Sequence, residues 1–113
     1  MKYDRKDFER LNHIYEAILA VQEFTENVNE VEFRNSALIQ SAVIRQFEIT
    51  GEAASNISTS TKEKYSEVEW RIIKDFRNIL IHEYFRVDAS EVWYSIKFDI
   101  PDLKIQIKSI LSL

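Results

Sequence analysis

Segment 76–85 gathers side chains that can bind phosphate and transfer protons: Arg77, Asn78, His82 and Tyr84. A guanidinium presents several fixed donors to phosphate oxygens and stays charged at any physiological pH. An imidazole, whose unperturbed pKa is about 6.5, can act as a base or an acid near neutrality. Cleavage of a phosphodiester without a metal ion needs a base for the attacking hydroxyl, an acid for the leaving oxygen and positive charge on the phosphate. Arg77 and His82 are therefore candidate catalytic residues, and Asn78 and Tyr84 are candidates for positioning the substrate.

The helix that carries these residues is predicted to run from about Val68 to Phe85 and to have two faces. Because each residue advances about 100° around the axis, the four polar side chains share one side. The other side carries the predicted core stripe, which consists of Ile72, Phe76, Ile79 and Leu80. Glu83 points toward that stripe, where an unpaired carboxylate is costly to bury, so the helix is expected to end or bend there.

Large apolar residues, Trp70, Ile81 and Phe85, are interleaved with the polar side chains. They would form an exposed apolar patch on a single chain, so we expect this face to pair with its copy around a twofold axis. Arg71 and Lys74 lie on the same side and are secondary candidates for contacting phosphate groups of a substrate. A homodimer also brings two histidines to one composite site, which supplies a separate base and acid.

The composition favours an all-α protein. The 113 residues include one Gly, one Pro and no Cys, which leaves few turn formers and no thiolate metal site. We expect a single domain over residues 1–113, folded as an up-and-down bundle of about four to five helices, with no metal and no cofactor. The absence of a long apolar run predicts no membrane association and a cytoplasmic location. A net charge of −4 argues against DNA and non-specific nucleic-acid binding, so any RNA contact must be local.

Other elements are predicted from caps and spacing. Asp4 and Asn29 are candidate helix caps, a long helix covers about 35–56, and 55–61 reads as the longest loop, with Thr61 capping a turn after it. Asp88 begins another helix. Pro101 predicts a kink or a new helix start at Asp102.

Within the long helix, Gly51 is the unexpected residue, because a Gly inside a helix costs about 1 kcal/mol relative to Ala. Close packing against another helix, possibly the motif helix, would explain it. Glu48 and Glu52 lie one turn apart and both can reach the site. Glu48 is interpreted as a surface residue, whereas Glu52 is kept as a secondary site candidate. His13 lies off the apolar stripe of the first helix and is assigned no function.

The Arg-Asn-x3-His-x-Tyr arrangement at 77–84 resembles the signature of the HEPN superfamily, specifically its HepT-like ribonuclease toxins. The resemblance extends to segment 49–54, to Trp70-Arg71 and to segment 87–93. It differs at Ser66 and Glu69, near which related proteins commonly carry Pro. It implies a dimeric metal-independent endoribonuclease acting on tRNA or mRNA through a composite cleft that contains Arg77 and His82 from each protomer.

The same resemblance implies a partner, a nucleotidyltransferase antitoxin that transfers AMP from ATP to Tyr84. Bulky anionic phosphate beside Arg77 would occupy the position meant for RNA phosphate. Two other functions stay open at this point. One is a non-catalytic nucleotide- or substrate-binding subunit of a two-component nucleotidyltransferase. The other is a structural dimer whose polar residues satisfy one another across the interface.

Overall fold

The computed structural model describes residues 4–83 and 87–113, whose regular elements are all helical. They are α1 (Arg5–Phe24), α2 (Glu30–Arg34), α3 (Ala37–Ser55), α4 (Thr59–Lys64), α5 (Trp70–His82), α6 (Ala89–Tyr94), a π-helical segment (Ser95–Asp99) and α7 (Ile100–Leu111). The predicted all-α class is therefore confirmed. None of the helices in this part of the chain is long and apolar enough to cross a bilayer.

The long helices pack side by side in the order α5, α3, α1, α7. α1 and α3 form the centre, and α7 packs on α1. The short α2 packs against both α3 and α6. The core is built from aliphatic residues at helical spacing, such as Leu11, Ile14 and Ile18 of α1, all fully buried. α5 packs on α3 at one edge of this arrangement, and only Trp70 and Leu80 of its residues are buried.

Helix starts follow the predicted caps in most cases. The Asp4 carboxylate accepts from the backbone N–H of Lys6 and begins α1, and Asn29 forms a capping box with Glu32 at α2. Asp88 caps α6. The prediction for Thr61 is wrong, because Ser58 caps α4 and segment 55–61 is mostly helical.

Thr61 is instead part of a buried polar cluster around Asp7. Asp7, which is 1% exposed, occupies a core position on α1. Its carboxylate accepts three hydrogen bonds: from the Ser58 backbone N–H at 2.9 Å, the Ser58 hydroxyl at 2.6 Å and the Thr61 hydroxyl at 2.7 Å. Burial alone would raise the pKa of Asp7, but these hydrogen bonds and the nearby charge of Arg10 hold it below the ordinary value. The cluster fixes the first turn of α1 to α4.

Replacing Asp7 with Ala is expected to lower the free energy of unfolding by about 3 kcal/mol, because buried donors of Ser58 and Thr61 lose their acceptor. Urea unfolding at neutral pH measures this, with the exposed Asp102→Ala as the control. Because the folded-state pKa is lowered, the contribution of Asp7 is present above the ordinary value of 3.8 and is lost as the pH falls below it. A stability change as small as that of Asp102→Ala would contradict this account.

Pro101 does not end the helix. It lies in the first turn of α7, directly after the π-helical segment Ser95–Asp99, and helical structure is continuous from 89 to 111. A wider π turn is a common accommodation where a regular α-helical hydrogen bond is missing, and Pro lacks the N–H for that bond. The predicted new helix start at Asp102 is therefore wrong. The irregularity that accompanies Pro101 is the π-helical turn before it, a type of position at which helices commonly kink.

The predicted faces of α5 need correction. Leu80 is buried and Phe76 packs on Phe47 with ring centroids 5.7 Å apart, but Ile72 is 61% exposed. Trp70, predicted to lie in an exposed patch, is buried, and its indole N–H donates to the Tyr65 carbonyl. The packed side is made by the residues at 70, 73, 77 and 80, which lie one turn apart in succession. The aliphatic stem of Arg77 is thus part of the packed face, not opposite to it.

Candidate active site

Arg77 and Gly51 are in direct contact where α5 crosses α3. A Cβ atom added to Gly51 would lie 2.1 Å from the Arg77 Cβ and 2.5 Å from its Cγ. Real side chains do not approach so closely, so only Gly at position 51 allows the arginine stem to lie there. The prediction that Gly51 marks close packing against the motif helix is confirmed.

The guanidinium of Arg77 is held by two acceptors. Nη2 donates to the Glu52 Oε2 at 2.6 Å, and Nη1 donates to the Asn78 Oδ1 at 3.0 Å. The buried Nε–H has no hydrogen-bond partner among the described residues. The side chain as a whole is 25% exposed, against 57% for Glu52. The charged group is therefore fixed in orientation but remains accessible from one side.

Glu52 is itself fixed, because its Oε1 accepts from the Asn56 side-chain amide at 3.3 Å. Glu52 is thus a direct neighbour of Arg77. The interpretation of Glu48 as a surface residue needs correction, because its side chain is 22% exposed and lines the same cleft. Glu48 pairs with Arg45 on its own helix at 3.4 Å. An exposed ion pair contributes only about 0.2–1 kcal/mol, so the value of Glu52 lies in orienting Arg77 more than in stability.

A cleft of about 670 Å³ lies between α1 and the α3–α5 pair, and Arg77 lines it. From α3 it is lined by Arg45, Glu48 and Glu52, and from α5 by Arg77 and Ile81. α1 contributes Glu9 and three residues that can carry positive charge, Lys6, Arg10 and His13, none of which was assigned to the site from the sequence. Their spacing of four and three residues places them on one stripe of α1, a signal that was present in the sequence.

His82 is the last residue of α5 and is exposed. Five residues separate it from Arg77, which on an α-helix corresponds to about 140° of rotation and about 7.5 Å of rise. It does not line the cleft that contains Arg77. Within one chain the structure thus brings together Arg77, Asn78 and Glu52. The prediction that His82 shares a side with Arg77 is wrong, because the rotation of about 140° takes His82 away from the cleft that Arg77 lines.

Arg71 and Lys74 are exposed on α5, as expected for secondary cationic candidates. Burial, followed by the nearby Lys74 ammonium, lowers the pKa of Lys62 on α4, and Asp7 opposes this effect. Tyr84 and Phe85 lie outside the described residues. Among the residues that are described, no group of three or more His, Cys, Asp or Glu side chains could hold a metal ion.

Comparison with known proteins places this geometry in a family. The model of the family described as "Ribonuclease HepT-like" matches residues 14–110. The chain belongs to the HepT-like ribonuclease family. This membership confirms the resemblance inferred from the motif and identifies the chain as a ribonuclease. No solved structure gives a significant match.

Several HepT-like relatives cover most of this chain. A "probable ribonuclease HepT" of Thermococcus cleftensis is 42% identical over 92% of this chain and 93% of its own length. A "putative RNase" of Methanocaldococcus jannaschii is 40% identical over 95% of this chain and 96% of its own length. A "gamma-glutamylcyclotransferase and putative RNase" of the same organism is 43% identical over 95% of this chain, which spans only 49% of that relative.

Proposed function

We propose that this HepT-like chain is a metal-independent endoribonuclease toxin whose site is completed by a second copy of the chain. The observation that carries the proposal is the Arg77 guanidinium, which Gly51, Glu52 and Asn78 hold at the edge of a cleft. A phosphate that approaches this cleft meets a preoriented cation whose remaining N–H groups can donate to its oxygens.

In the proposed reaction, a base removes the proton of the RNA 2′-hydroxyl, and this oxygen attacks the adjacent phosphorus. The bond to the 5′-oxygen breaks, and an acid protonates that oxygen. The products are a 2′,3′-cyclic phosphate and a free 5′-hydroxyl. Arg77 stabilises the charge that develops on the phosphate, and His82 acts as base or acid. One His82 from each protomer supplies both functions.

The position of His82 supports the composite arrangement. Arg77 and His82 of one chain face different sides of α5, so they can act on one phosphate more readily if the second chain contributes across the interface. Ile81, which is 38% exposed, is suited to such an interface. Ile72, which is 61% exposed, lies about 180° around α5 from Ile81 and belongs to another side of the helix. Phe85 was also predicted to contribute, but it lies outside the described residues.

The products of cleavage test the proposal. We expect the purified protein to cut single-stranded RNA in the presence of EDTA at an undiminished rate, because no step uses a metal ion. Mass spectrometry should identify 2′,3′-cyclic phosphate ends, since the attacking oxygen belongs to the substrate. Loss of activity in EDTA that Mg²⁺ restores would contradict the mechanism. Tight RNA binding without any cleavage would favour the alternative of a binding subunit in a two-component nucleotidyltransferase.

Control by a nucleotidyltransferase antitoxin is a further part of the proposal. We expect the antitoxin to transfer AMP from ATP to the Tyr84 hydroxyl, with pyrophosphate as the leaving group. An AMP group adds bulk and negative charge, and on the motif tyrosine it would compete with RNA phosphate for the Arg77 guanidinium. The family motif supports this assignment.

Intact-mass measurement after incubation with antitoxin, ATP and Mg²⁺ should show addition of one or more AMP groups to the parent protein. Tyr84→Phe should stay unmodified and retain cleavage in the presence of the antitoxin. Tyr65→Phe, which removes a hydroxyl elsewhere on the chain, is the matched control and should be modified normally. Full neutralisation of the parent protein without a mass change would show that the antitoxin blocks the site by simple occlusion.

A further inference from the structure

The stripe of α1 formed by Lys6, Arg10 and His13 faces the same cleft as Arg77. On an α-helix these positions lie within about 60° of one another and span about 10 Å along the axis. The stripe is held in place because Asp7, between Lys6 and Arg10 in the sequence, is bound to Ser58 and Thr61 of the α4 region. The cations therefore have a defined position relative to the cleft.

The carboxylates that line the cleft are already paired with other cations. Glu52 pairs with Arg77 at 2.6 Å and Glu48 pairs with Arg45 at 3.4 Å. Glu9 pairs with Arg5 at 3.9 Å.

No carboxylate of the described residues lies within ion-pair distance of Lys6 or Arg10. Arg10 does act on Asp7 through its charge, but Ser58 and Thr61 occupy the oxygens of Asp7. The stripe thus leaves positive charge available in a chain whose net charge is −4.

We propose that Lys6, Arg10 and His13 form a second phosphate-binding subsite, which holds the RNA backbone next to the phosphate that Arg77 binds. This inference rests on the proposed ribonuclease function. It adds a path for the RNA strand, which runs across the cleft between α5 and α1. Lys6 and Arg10 supply charge to the backbone phosphates, and His13 supplies a ring N–H donor. The subsite binds substrate in the ground state and the transition state alike, so it acts on KM.

The experiment compares a Lys6→Ala/Arg10→Ala double variant with Lys97→Ala. Lys97 carries the same charge, is exposed and does not line the cleft. We expect the double variant to raise KM for single-stranded RNA about 10-fold with kcat little changed, which is the pattern for loss of uniform binding. Lys97→Ala should match the parent protein.

The salt dependence of RNA binding gives a second readout, measured in a His82→Ala background so that the RNA stays intact. Each phosphate contact on a single strand contributes about 0.7 to the slope of log affinity against log salt. The double variant should lower the magnitude of this slope by about 1.4, whereas Lys97→Ala should leave it unchanged. Circular dichroism and thermal unfolding establish that each variant is folded. Lys6→Ala alone, at an exposed position, provides a milder version of the test.

The outcomes separate this inference from the proposed function. If the parent protein cleaves RNA and the double variant behaves as Lys97→Ala does, the subsite is wrong while the ribonuclease function stands. If the parent protein neither binds nor cleaves RNA, the proposed function fails first. If the double variant cleaves normally but escapes neutralisation by the antitoxin, the stripe is a protein-docking surface, which also overturns the subsite.

Discussion

Arg77→Ala is expected to slow RNA cleavage by about 1,000-fold or more, comparable to the loss of an arginine that stabilises phosphoryl transfer. The guanidinium is the group that Glu52 and Asn78 orient in the cleft, and nothing else on α5 lines the cleft with a positive charge. His82→Ala should slow cleavage by about 100-fold or more, as expected for loss of a general acid or base. Single-turnover rates with saturating protein measure both effects without interference from substrate affinity.

Arg77→Met is the control that separates charge from packing. The stem of Arg77 rests on Gly51, so Arg77→Ala removes buried contacts as well as the guanidinium. Met keeps an unbranched stem and should preserve the free energy of unfolding while losing activity to the same extent as Ala. Sedimentation should give the same oligomeric state for the parent and both variants. An Arg77→Met protein that cleaves RNA at the parental rate would remove Arg77 from the mechanism.

Gly51→Ala is the second substitution with a large expected effect. In an ordinary helix this change would stabilise the protein by about 1 kcal/mol. Here the new methyl group would lie 2.1 Å from the Cβ of Arg77, an atom fixed to the backbone of α5, so the two helices must separate. We expect a net loss of about 2 kcal/mol in the free energy of unfolding from this overpacking. A shift of Arg77 by about 1 Å should also reduce cleavage by about 100-fold.

Two further variants identify the cause of the Gly51→Ala effect. Ser41→Ala, at an exposed position of the same helix, should leave stability and cleavage near the parental values. Arg77→Gly removes the atoms that the new methyl group meets, so the double variant Gly51→Ala/Arg77→Gly should be more stable than the sum of the single effects predicts. A Gly51→Ala protein that is more stable than the parent would show that the helices adjust without cost.

Sequence reasoning identified the parts of this molecule that depend on local chemistry. The all-α class and the caps at Asp4, Asn29 and Asp88 follow from composition and from short-range hydrogen bonding. The end of α5 at His82 agrees with the cost expected for burying Glu83. These features are local, so a single sequence contains the information they need.

The errors occurred where tertiary packing decides the outcome. The helical wheel placed Arg77 away from the core because the core stripe was taken to be Ile72, Phe76, Ile79 and Leu80. The missing side chain of Gly51 lets the stem of Arg77 pack on α3. With Arg77 on the packed side, α5 is rotated about its axis relative to the prediction, so that Trp70 is buried and Ile72 is exposed. Asp7 stands at a core position of α1, and its partners Ser58 and Thr61 are more than fifty residues away, so spacing alone could not pair them.

The candidate site was predicted only in part, because its assembly also depends on tertiary packing. Gly51, Glu52 and Asn78 were named from sequence and meet Arg77 in the structure. The stripe of Lys6, Arg10 and His13 was visible as a pattern, but only the fold shows that α1 faces this cleft. The composite dimer and the role of Tyr84 stay predictions.

The shallow burial of α5 has a consequence for local stability. Only Trp70 and Leu80 of this helix lie in the core, so its backbone hydrogen bonds should open at a free-energy cost well below that of unfolding the α1–α3 centre. Amide hydrogens of α5 will then exchange with solvent early in the isolated chain. A second protomer, RNA or an antitoxin that covers this helix must slow that exchange, which makes α5 an internal reporter of which surface each ligand occupies.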